Sequence, residues 1–509
     1  MNVSHMKLIY SIVIFVLCTS SSLASAQEYK WAVPTQEPDK SYITGIVADH
    51  NGNSYTLGVN RLKGDAVFSQ TPVGNIFLTK RNAGGEVIWR RSFAGMAHPY
   101  DIALDSSGSV IMTGSFTDSL ELDKKYYHQD IFSATFLTKC DASGNIIWSR
   151  VDSNTALGVS LGISTTSGAD MSIYVCGMDG DITPFVAKYS STGETIWKKG
   201  FQEVRTIDDV AVTPDGKVFI TGTCNPTAVF DSIALPEIPE QTGYALFIAG
   251  LDANGKAQWL RSDAFGTFSF ANTIAYHNGT IHRFRYSNAM FSENRLERYN
   301  EAGTLLSSHP IPYNMAPFEM VIQNTLTVDS KGRAYIVDVT RDTIIIYRSR
   351  SFITPDTMLV AVDTFTTLVS RGSIGQGLTS DGDDLFLGAS FTDGSIDVGK
   401  FTVMNTNNSS KFESSTFVTQ IEIEPSLAVG VKDEIQEIYL YPNPATTSIS
   451  FLQNVTSSDI HVYDVLGKEV LHASISSHNT VDVSSLPSGP YTAVITDGKK
   501  TQTARFIIK

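Results

Sequence analysis

The strongest constraint on the fold is one pattern that recurs seven times along the chain. Each copy has two runs of alternating β-forming and polar residues, joined by a turn in which Asn, Asp or Ser precedes Gly. Glycine supplies the positive φ that tight hairpins require, so each copy predicts a β-hairpin. The seven predicted hairpins cover residues 46–58, 102–114, 163–177, 210–222, 274–284, 326–337 and 378–388.

A second hairpin is predicted downstream of most of these copies. Five clear examples cover residues 75–89, 134–148, 184–197, 245–259 and 294–307, and a degenerate one covers 357–369. The seventh copy has a single strand at 416–425 and then stops. Two hairpins make four antiparallel strands, and seven such units predict an all-β, seven-bladed β-propeller.

The two ends of the repeated region complement each other. The last repeat lacks its fourth strand, and residues 29–33 (YKWAV) resemble the fourth strands that end in Trp89, Trp148, Trp197 and Trp259. All five tryptophans then occupy one repeat position, with Trp31 in the closing blade. Closing the ring with the first strand leaves no free sheet edge.

Length and charge narrow the possibilities further. A chain of 509 residues suggests about three domains by length, whereas a closed ring of repeats makes residues 27–425 one domain. The chain has 52 acidic and 38 basic residues, a net charge of −14. It lacks the basic surface that binds a polyanion, so nucleic acid is not expected as a partner.

The first 26 residues predict export. Lys7 precedes an apolar run at residues 8–17, and small residues lead to a cleavage site between Ala26 and Gln27, as in a secretory signal peptide. The alternative of a membrane anchor requires a longer apolar run to cross roughly 30 Å of hydrocarbon. No later stretch is apolar enough to predict a stable membrane span. The signal peptide therefore predicts Sec export to the periplasm.

Three cysteines remain in the mature chain, Cys140, Cys176 and Cys224. Their odd number and wide spacing match neither a disulfide framework nor a zinc motif. Each falls within or at the end of a predicted strand, where a buried, small apolar residue is expected.

The repeats resemble those of secreted bacterial β-propeller proteins (SBBP-like repeats). The resemblance covers about residues 28–425 and is clearest in FLTKCDASGNIIWSR and IALDSSGSVIMTG. It implies the propeller fold and no particular activity. The repeated DxxGxxxW also resembles the tryptophan-docking motif of pyrroloquinoline-quinone dehydrogenases and the Asp-box of sialidases. Both motifs are structural in those families, so the resemblance implies packing between blades.

The chain after a linker at 426–433 forms a separate module, residues 434–509, with the short alternating strands of a small Ig-like β-sandwich. It resembles the type A sorting domain of the type IX secretion system (T9SS) of Bacteroidetes. The motif residues are Tyr441, Pro442, Asn443, Pro444, Gly467, Leu486, Gly489, Tyr491 and Lys509. The resemblance implies that the type IX machinery is a partner and that the product is secreted or held on the outer-membrane surface. The alternative is an ordinary accessory sandwich domain.

Three patterns suggest chemistry, and each has a stronger structural explanation. Ser160 in GVSLG has the letters of a nucleophile elbow without the strand-turn-helix context that exposes the nucleophile. The carboxylates of 381–384 suit Ca²⁺ but also suit a hairpin turn. His277 and His282 flank a turn with no third metal ligand nearby. No catalytic residue, metal site or cofactor is therefore predicted.

Ligand binding is predicted on the face that carries the long connections, because function is concentrated on loops. These connections are 59–74, 115–133, 223–244, 338–356 and 389–415. Side chains suited to stacking on a sugar or anchoring a protein are His98, Tyr100, Tyr126, Tyr127, His128, Phe265 and Phe268. An alternative is that several of them, Tyr126 and Tyr127 above all, merely extend a blade hairpin.

The expected function is therefore that of an exported binding or interaction module with a glycan or protein ligand. A secreted glycan-active lyase or hydrolase and a purely structural surface protein are the alternatives.

Overall fold

The computed structural model describes most of the repeated region and much of the C-terminal module. The described residues are 28–37, 41–61, 73–152, 161–179, 183–236, 244–266, 272–285, 294–311, 325–339, 343–348, 360–366, 376–391, 395–405, 415–422, 436–437, 440–441, 445–451, 459–464, 468–474, 480–496 and 501–509. Every regular element among them is a β-strand. The chain divides into two compact units, residues 1–425 and 426–509.

The repeated turns explain why these residues fold into hairpins. In the turn that starts at Asp105, the side-chain Oδ1 accepts the backbone N–H groups of Ser107 at 2.9 Å and Ser109 at 3.0 Å. Gly108 closes the turn with φ of +77° and donates its N–H to the Asp105 carbonyl. An acceptor side chain and a glycine three residues later therefore reverse the chain locally.

Strands β2 to β8 form two connected sheets and follow one another in sheet order. The strand before them, β1 (Glu28–Pro34), pairs instead with a strand near the end of the same unit. The seven strands are β2 (Ser41–Ala48), β3 (Ser54–Arg61), β4 (Gly74–Arg81), β5 (Val87–Leu104), β6 (Val110–Leu122), β7 (Lys125–Cys140) and β8 (Ile146–Asp152). The start of β5 pairs with β4 and its end with β6, so β5 closes one four-stranded unit, sheet 1, and opens the next, sheet 2.

Sheets 3 to 6 are antiparallel and have four strands each. Sheet 3 contains β9 (Leu161–Ser167), β10 (Ile173–Asp179), β11 (Thr183–Tyr189) and β12 (Thr195–Gly200). Sheet 4 contains β13 (Val204–Val212), β14 (Val218–Cys224), β17 (Tyr244–Leu251) and β18 (Ala257–Gly266). Between β14 and β17 the chain forms a separate small hairpin of β15 (Val229–Phe230) and β16 (Ile233–Ala234). Sheet 5 contains β19 (Thr273–His277), β20 (Thr280–Arg285), β21 (Arg295–Asn300) and β22 (Leu305–Pro310). Sheet 6 contains β23 (Leu326–Val328), β24 (Ala334–Val339), β25 (Thr343–Arg348) and β26 (Val360–Thr366).

Sheet 7 joins the two ends of this unit. It contains β27 (Gln376–Asp381), β28 (Asp384–Phe391) and β31 (Ser415–Glu422). Between β28 and β31 the chain forms a separate hairpin of β29 (Ser395–Val398) and β30 (Phe401–Met404). β1 is the fourth strand of sheet 7, antiparallel to β31, with Glu28 opposite Glu422 and Pro34 opposite Phe417. The single indole N–H of Trp31 is shared between Gln420 Oε1, at 2.7 Å within this sheet, and a carbonyl of sheet 1.

The first strands of the seven sheets form a closed cycle. Within the described residues, β2, β5, β9, β13, β19, β23 and β27 contact one another in that order, and β27 contacts β2. Apolar side chains fill the spaces between neighbouring sheets; for example, Ile111 and Leu137 of sheet 2 pack with Val175 and Phe185 of sheet 3. The apolar positions that alternate along the strands are thus buried between sheets.

The five tryptophans join five of the seven sheets to the sheet that follows. Each indole N–H donates to a carbonyl in the third turn of the following sheet: Trp31 to Ala83, Trp89 to Ala142, Trp148 to Ser191, Trp197 to Ala253 and Trp259 to Glu301, at 2.8–3.0 Å. Each ring also lies over a positive-φ glycine of that turn, Gly85, Gly144, Gly193, Gly255 or Gly303. One repeat position therefore makes one repeated contact between sheets.

Two sequence predictions about connections need correction. The degenerate hairpin predicted at 357–369 is wrong, because β26 supplies the fourth strand of sheet 6 and β25 lies in the predicted connection 338–356. The connection 115–133 belongs to β6 and β7, which turn at Asp123 and Lys124 with φ of 51° and 61°.

The C-terminal unit has two facing sheets. Its strands are β32 (Gln436–Glu437), β33 (Leu440–Tyr441), β34 (Ser448–Phe451), β35 (Asp459–Tyr463), β36 (Glu469–Ser474), β37 (Thr480–Asp482), β38 (Gly489–Thr496) and β39 (Thr501–Ile508). One sheet has the order β32-β39-β38-β35-β36 and the other β33-β34-β37. Ile449 and Val481 of the small sheet share a core with Ile460, Ala493 and Phe506 of the large one.

Pro490 lies in an interior strand of this unit without breaking its pairing. It stands opposite Ile507 of β39, and pairing of β38 with β35 begins two residues later, at Thr492. The missing N–H of proline therefore falls at the start of the strand, where it removes no bond to β35.

Candidate functional site

The cycle of first strands encloses a cavity of about 320 Å³. Six of these strands line it, from Val47 of β2 to Leu326 of β23. Its polar side chains include Asp101, Ser164 and Asp209. These residues come from sheets 2, 3 and 4, which the chain places side by side.

Asp101, Ser164 and Asp209 form one hydrogen-bonded group. Ser164 Oγ lies 3.0 Å from Asp101 Oδ2 and 2.7 Å from Asp209 Oδ1. A serine hydroxyl has one proton and can donate to one carboxylate at a time. Both short contacts are satisfied when Asp209 holds a proton and donates it to Ser164 Oγ.

The acid–base properties of Asp209 agree with that arrangement. Burial raises its pKa to about 7, and the neighbouring Asp101 charge adds to the increase, while the backbone hydrogen bonds from Ile274 and Val210 and the contact with Ser164 favour the ionised form and oppose it. A carboxyl group in this position is therefore protonated at mildly acidic pH.

The two carboxylates also connect neighbouring sheets. Asp101 Oδ2 accepts the backbone N–H of Thr165 at 2.7 Å, and Asp209 Oδ2 accepts that of Ile274 at 2.8 Å. Each acid thus joins its own first strand to the first strand of the following sheet. Their oxygens are occupied by backbone donors, which indicates a structural role for the pair. The sequence signal for them is an Asp directly before the apolar residue that starts a repeat, as in DIAL and DVAV.

Two of the predicted binding residues lie next to this group. His98 and Tyr100 precede Asp101 on β5, and their rings meet edge to face with centroids 4.5 Å apart. His98 is buried and Tyr100 half-buried, and burial raises the pKa of the Tyr100 phenol. The pair is packed into the connection between sheets 1 and 2, with limited surface available to a ligand.

Three other predicted binding residues lie on the hairpin of β6 and β7. Tyr126 is 75% exposed and stands opposite Glu121, whose hydrogen bond and charge raise the pKa of the phenol. Tyr127 packs partly against the core of sheets 1 and 2, and His128 is exposed. The side chains of Tyr126 and His128 are therefore exposed on this hairpin. Phe265 belongs to β18, and Phe268 lies outside the described residues.

The carboxylates at 381–384 contact lysine or histidine side chains from other parts of the chain. Asp381 lies 3.2 Å from His50 Nδ1, Asp383 lies 3.3 Å from Lys331 Nζ, and Asp384 lies 2.8 Å from Lys30 Nζ. Asp381 and Asp384 face each other across the turn that joins β27 to β28. The structure thus spreads these carboxylates over separate partners.

The remaining sequence candidates lie apart or outside the described residues. His282 is buried, which lowers its pKa to about 3, whereas His277 is half-buried and contacts Asn278. Ser160 lies outside the described residues. Cys140, Cys176 and Cys224 are buried free thiols, and burial raises the pKa of Cys140 and Cys224 to about 12.

The sorting-motif residues that the structure describes are packed into the C-terminal unit. Leu486 and Tyr491 belong to its core, and the Tyr491 hydroxyl donates to the Pro487 carbonyl at 2.7 Å. The backbone N–H of Lys509 donates to the Ala445 carbonyl, which ties the end of the chain to the rest of the unit. Gly489 starts β38 and Tyr441 ends β33. Ala26, Gln27, Pro442, Asn443, Pro444 and Gly467 lie outside the described residues.

Sequence reasoning missed one group of metal-ligating type, His461, Glu469 and His472 on β35 and β36. The available signal was weak, because the three residues are eight and three positions apart. They come together through strand pairing, which their spacing does not reveal.

Sequence comparison identifies the C-terminal unit. Residues 439–509 match the family model of the secretion system C-terminal sorting domain. No curated protein sequence gives a significant match to the chain. Among the described residues, no helix has the length and apolar character that a membrane crossing demands.

Several solved structures resemble the chain over 58–83% of its length. A protein of unknown function from Bacteroides caccae has 10% identity and a TM-score of 0.33, over 58% of this chain and 82% of its own. Quinohemoprotein alcohol dehydrogenase from Comamonas testosteroni has 8% identity and a TM-score of 0.41, over 83% and 80%. A subtype N10 neuraminidase-like protein of A/little yellow-shouldered bat/Guatemala has 12% identity and a TM-score of 0.35, over 63% and 93%.

The chain is therefore an all-β protein with a C-terminal sorting domain. That domain indicates export through the type IX secretion system and a secreted or cell-surface location.

Proposed function

We propose that this protein is a seven-bladed β-propeller, related to the secreted bacterial propeller repeats, that works outside the cell as a binding module. The match of residues 439–509 to the sorting-domain family carries the proposal, because such a domain serves to move folded cargo across the outer membrane. The signal peptide predicted at residues 1–26 supplies the earlier Sec step to the periplasm. The seven four-stranded sheets with their closed cycle of first strands support the propeller, and the two facing sheets at 434–509 support an Ig-like sandwich.

Deletion of the sorting domain tests the export route. In a Bacteroidetes host with a working type IX system, the chain lacking residues 434–509 accumulates in the periplasm, while the full chain reaches the surface or the medium. Fractionation and immunoblotting measure the distribution, and the full chain in a host lacking the type IX system is the control. Equal amounts of truncated and full chain in the medium would contradict the proposal.

A smaller truncation makes the test sharper. β39 lies between β32 and β38 in the five-stranded sheet, so removal of residues 501–509 takes out an interior strand. The chain that ends at residue 500 is therefore expected to be retained like the larger deletion. Point changes in β39 that keep its inward-facing Phe506 and Ile508 are expected to leave export intact.

The observations favour a structural role over catalysis for the polar side chains of the cavity. Its two carboxylates accept backbone N–H groups, and Ser164 is shared between them. The exposed Tyr126 and His128 on the β6–β7 hairpin offer an aromatic and an imidazole side chain to a sugar or a protein surface. The ligand class proposed is therefore a glycan or a protein, held without turnover.

A glycan array probed with the chain from Gln27 to residue 425 tests the glycan ligand. Retained glycans are expected to be released by Tyr126→Ala, while Tyr276→Ala, a change at a cavity-lining tyrosine away from that hairpin, serves as the comparison. Cleavage of a bound glycan, detected by mass spectrometry, would overturn the binding proposal in favour of the glycan-active enzyme.

A further inference from the structure

The outer face of the five-stranded sheet in the C-terminal unit carries an imidazole pair beside a carboxylate. His461 of β35 stands directly opposite His472 of β36, and their rings stack with centroids 4.2 Å apart and an interplanar angle of 12°. His461 Nδ1 lies 3.3 Å from Glu469 Oε2. One donor atom from each of the three residues lies within 4.8 Å of the other two.

The strand pattern explains how residues far apart in sequence meet here. Side chains alternate between the two faces of a strand, and Ile460 and Val462 point into the core, so His461 points outward. The register of β35 and β36 shifts between Val462 and Tyr463, which places Glu469 opposite Tyr463. This irregularity brings the Glu469 carboxylate to the outer face beside the two rings.

The separation of the donors suits a small metal ion after modest side-chain rotation. A tetrahedral zinc ion with bonds of about 2.0–2.1 Å needs its donor atoms roughly 3.3 Å apart. The 3.3 Å contact between His461 and Glu469 already meets that spacing. Glu469 and His472 are exposed, so their terminal torsions can turn toward a shared ion, while half-buried His461 fixes one position.

The donor set selects the class of metal. Imidazole nitrogens suit zinc, copper and nickel, whereas Ca²⁺ takes six to eight oxygen ligands and Mg²⁺ is bound through oxygen. Two histidines and one glutamate are also the protein ligands of known zinc sites that leave a fourth position to water. We propose that His461, Glu469 and His472 bind one Zn²⁺ ion on the outer face of the sorting domain's larger sheet.

Such a site would act on the edge of the sheet. β36 is one of the two edge strands, and its partner is β35. A metal ion bound to ligands from both strands would link them, and a ligand that binds the folded unit better than the unfolded chain stabilises the folded unit. This inference concerns the C-terminal unit as a folded structure, and the export experiment above does not depend on it.

The competing explanation is a direct contact between His461 and Glu469 in which His472 only stacks on His461. The two explanations differ in the role of His472. A metal ion needs His472 as a ligand, whereas a direct contact between His461 and Glu469 forms without it. Changing His472 is informative because its side chain is exposed and its loss leaves the core intact.

Zinc titration of the chain from Gln27 to Lys509, in competition with a chromogenic chelator, tests the proposal. One tight equivalent of Zn²⁺ is expected for the wild-type chain. His461→Ala and His472→Ala should each weaken binding at least tenfold, and Glu469→Gln should weaken it less. His50→Ala is the matched control, since His50 is exposed and lies in the other unit. Absence of a tight equivalent, or unchanged affinity in His472→Ala, would overturn the site.

A second measurement identifies the ligands directly. Cu²⁺ bound to the wild-type chain should show electron paramagnetic resonance couplings from two imidazole nitrogens, and His472→Ala should show one. Circular dichroism of each variant checks that the fold is kept. A two-nitrogen signal that persists in His472→Ala would mean that other histidines bind the metal, and it would contradict the proposal.

Discussion

At the scale of single residues, the contact between tryptophan and glycine is the repeated contact between sheets. Gly144 has φ of +79°, and a Cβ placed on it would lie 2.8 Å from a ring atom of Trp89. The glycine thus meets two requirements, a left-handed backbone and a bare Cα against which the indole can pack. Gly108, in the first turn of the same sheet, has φ of +77° and no neighbouring atom within 4 Å of such a Cβ.

These two glycines allow the two requirements to be measured separately. Gly108→Ala is expected to lower the free energy of unfolding by roughly 1–2 kcal/mol, the cost of a left-handed conformation. Gly144→Ala should lose that amount and a further 1–3 kcal/mol or so, because the methyl group overpacks against Trp89. Denaturant unfolding of both variants measures the difference. Equal losses would show that the indole accommodates the added methyl group and that the contact does not require a bare Cα at this turn.

At the scale of elements, β1 decides whether the seventh sheet is complete. It contributes the strand beside β31, and it brings Lys30 to Asp384 at 2.8 Å and Trp31 to Ala83 of sheet 1 at 2.9 Å. Without it, β31 would present a row of unpaired backbone groups, which favours pairing with other chains. A strand of seven residues therefore joins the last sheet to the first.

Removal of β1 is expected to open that edge. A chain that starts at residue 38 should unfold at lower temperature and aggregate with increasing concentration, compared with a chain that starts at Gln27. Calorimetry and light scattering measure both effects. A synthetic peptide of residues 28–37 should restore the unfolding temperature, and the same peptide with Trp31→Ala should restore less. If the shortened chain matches the longer one, β1 is not a required part of the sheet.

The sequence predicts the strands better than the contacts between them. Turn glycines such as Gly108 mark their hairpins because few other residues adopt the backbone angles there. β25 was not predicted as a strand, because no Asn-Gly or Asp-Gly turn separates it from β26. Asp101 and Asp209 meet through Ser164 of an intervening sheet, and His461 meets His472 through the register of β35 and β36. Contacts of this kind depend on how sheets and strands align, which local patterns do not contain.

At the scale of the whole molecule, stability depends on acids buried between the sheets. Asp208 is 2% exposed, and its Oδ2 accepts Asn272 Nδ2 of the next sheet at 2.8 Å. Burial raises its pKa to about 7, although hydrogen bonds from Thr206 and Asn272 and the charge of Arg283 act in the other direction. Buried His282 acts oppositely on stability, because its pKa is lowered to about 3 and it stays neutral in the folded chain.

These shifts predict how Asp208→Asn changes stability with pH. Between about pH 4 and pH 7, folded Asp208 holds a proton that the unfolded chain has released, so its contribution to stability falls as the pH rises. His282 contributes in the opposite direction from about pH 3 to pH 6.5, so the difference between variant and wild type is the informative quantity. An amide cannot ionise and resembles the protonated acid, so Asp208→Asn should gain stability relative to wild type as the pH rises, by up to about 1.4 kcal/mol per pH unit.

Denaturant unfolding at pH 5, 6, 7 and 8 measures this difference. Asp141→Asn is the control, because hydrogen bonds lower the pKa of that exposed turn residue below its ordinary value and keep it ionised throughout this range. A difference for Asp208→Asn that stays constant with pH would mean that Asp208 is ionised in the folded chain.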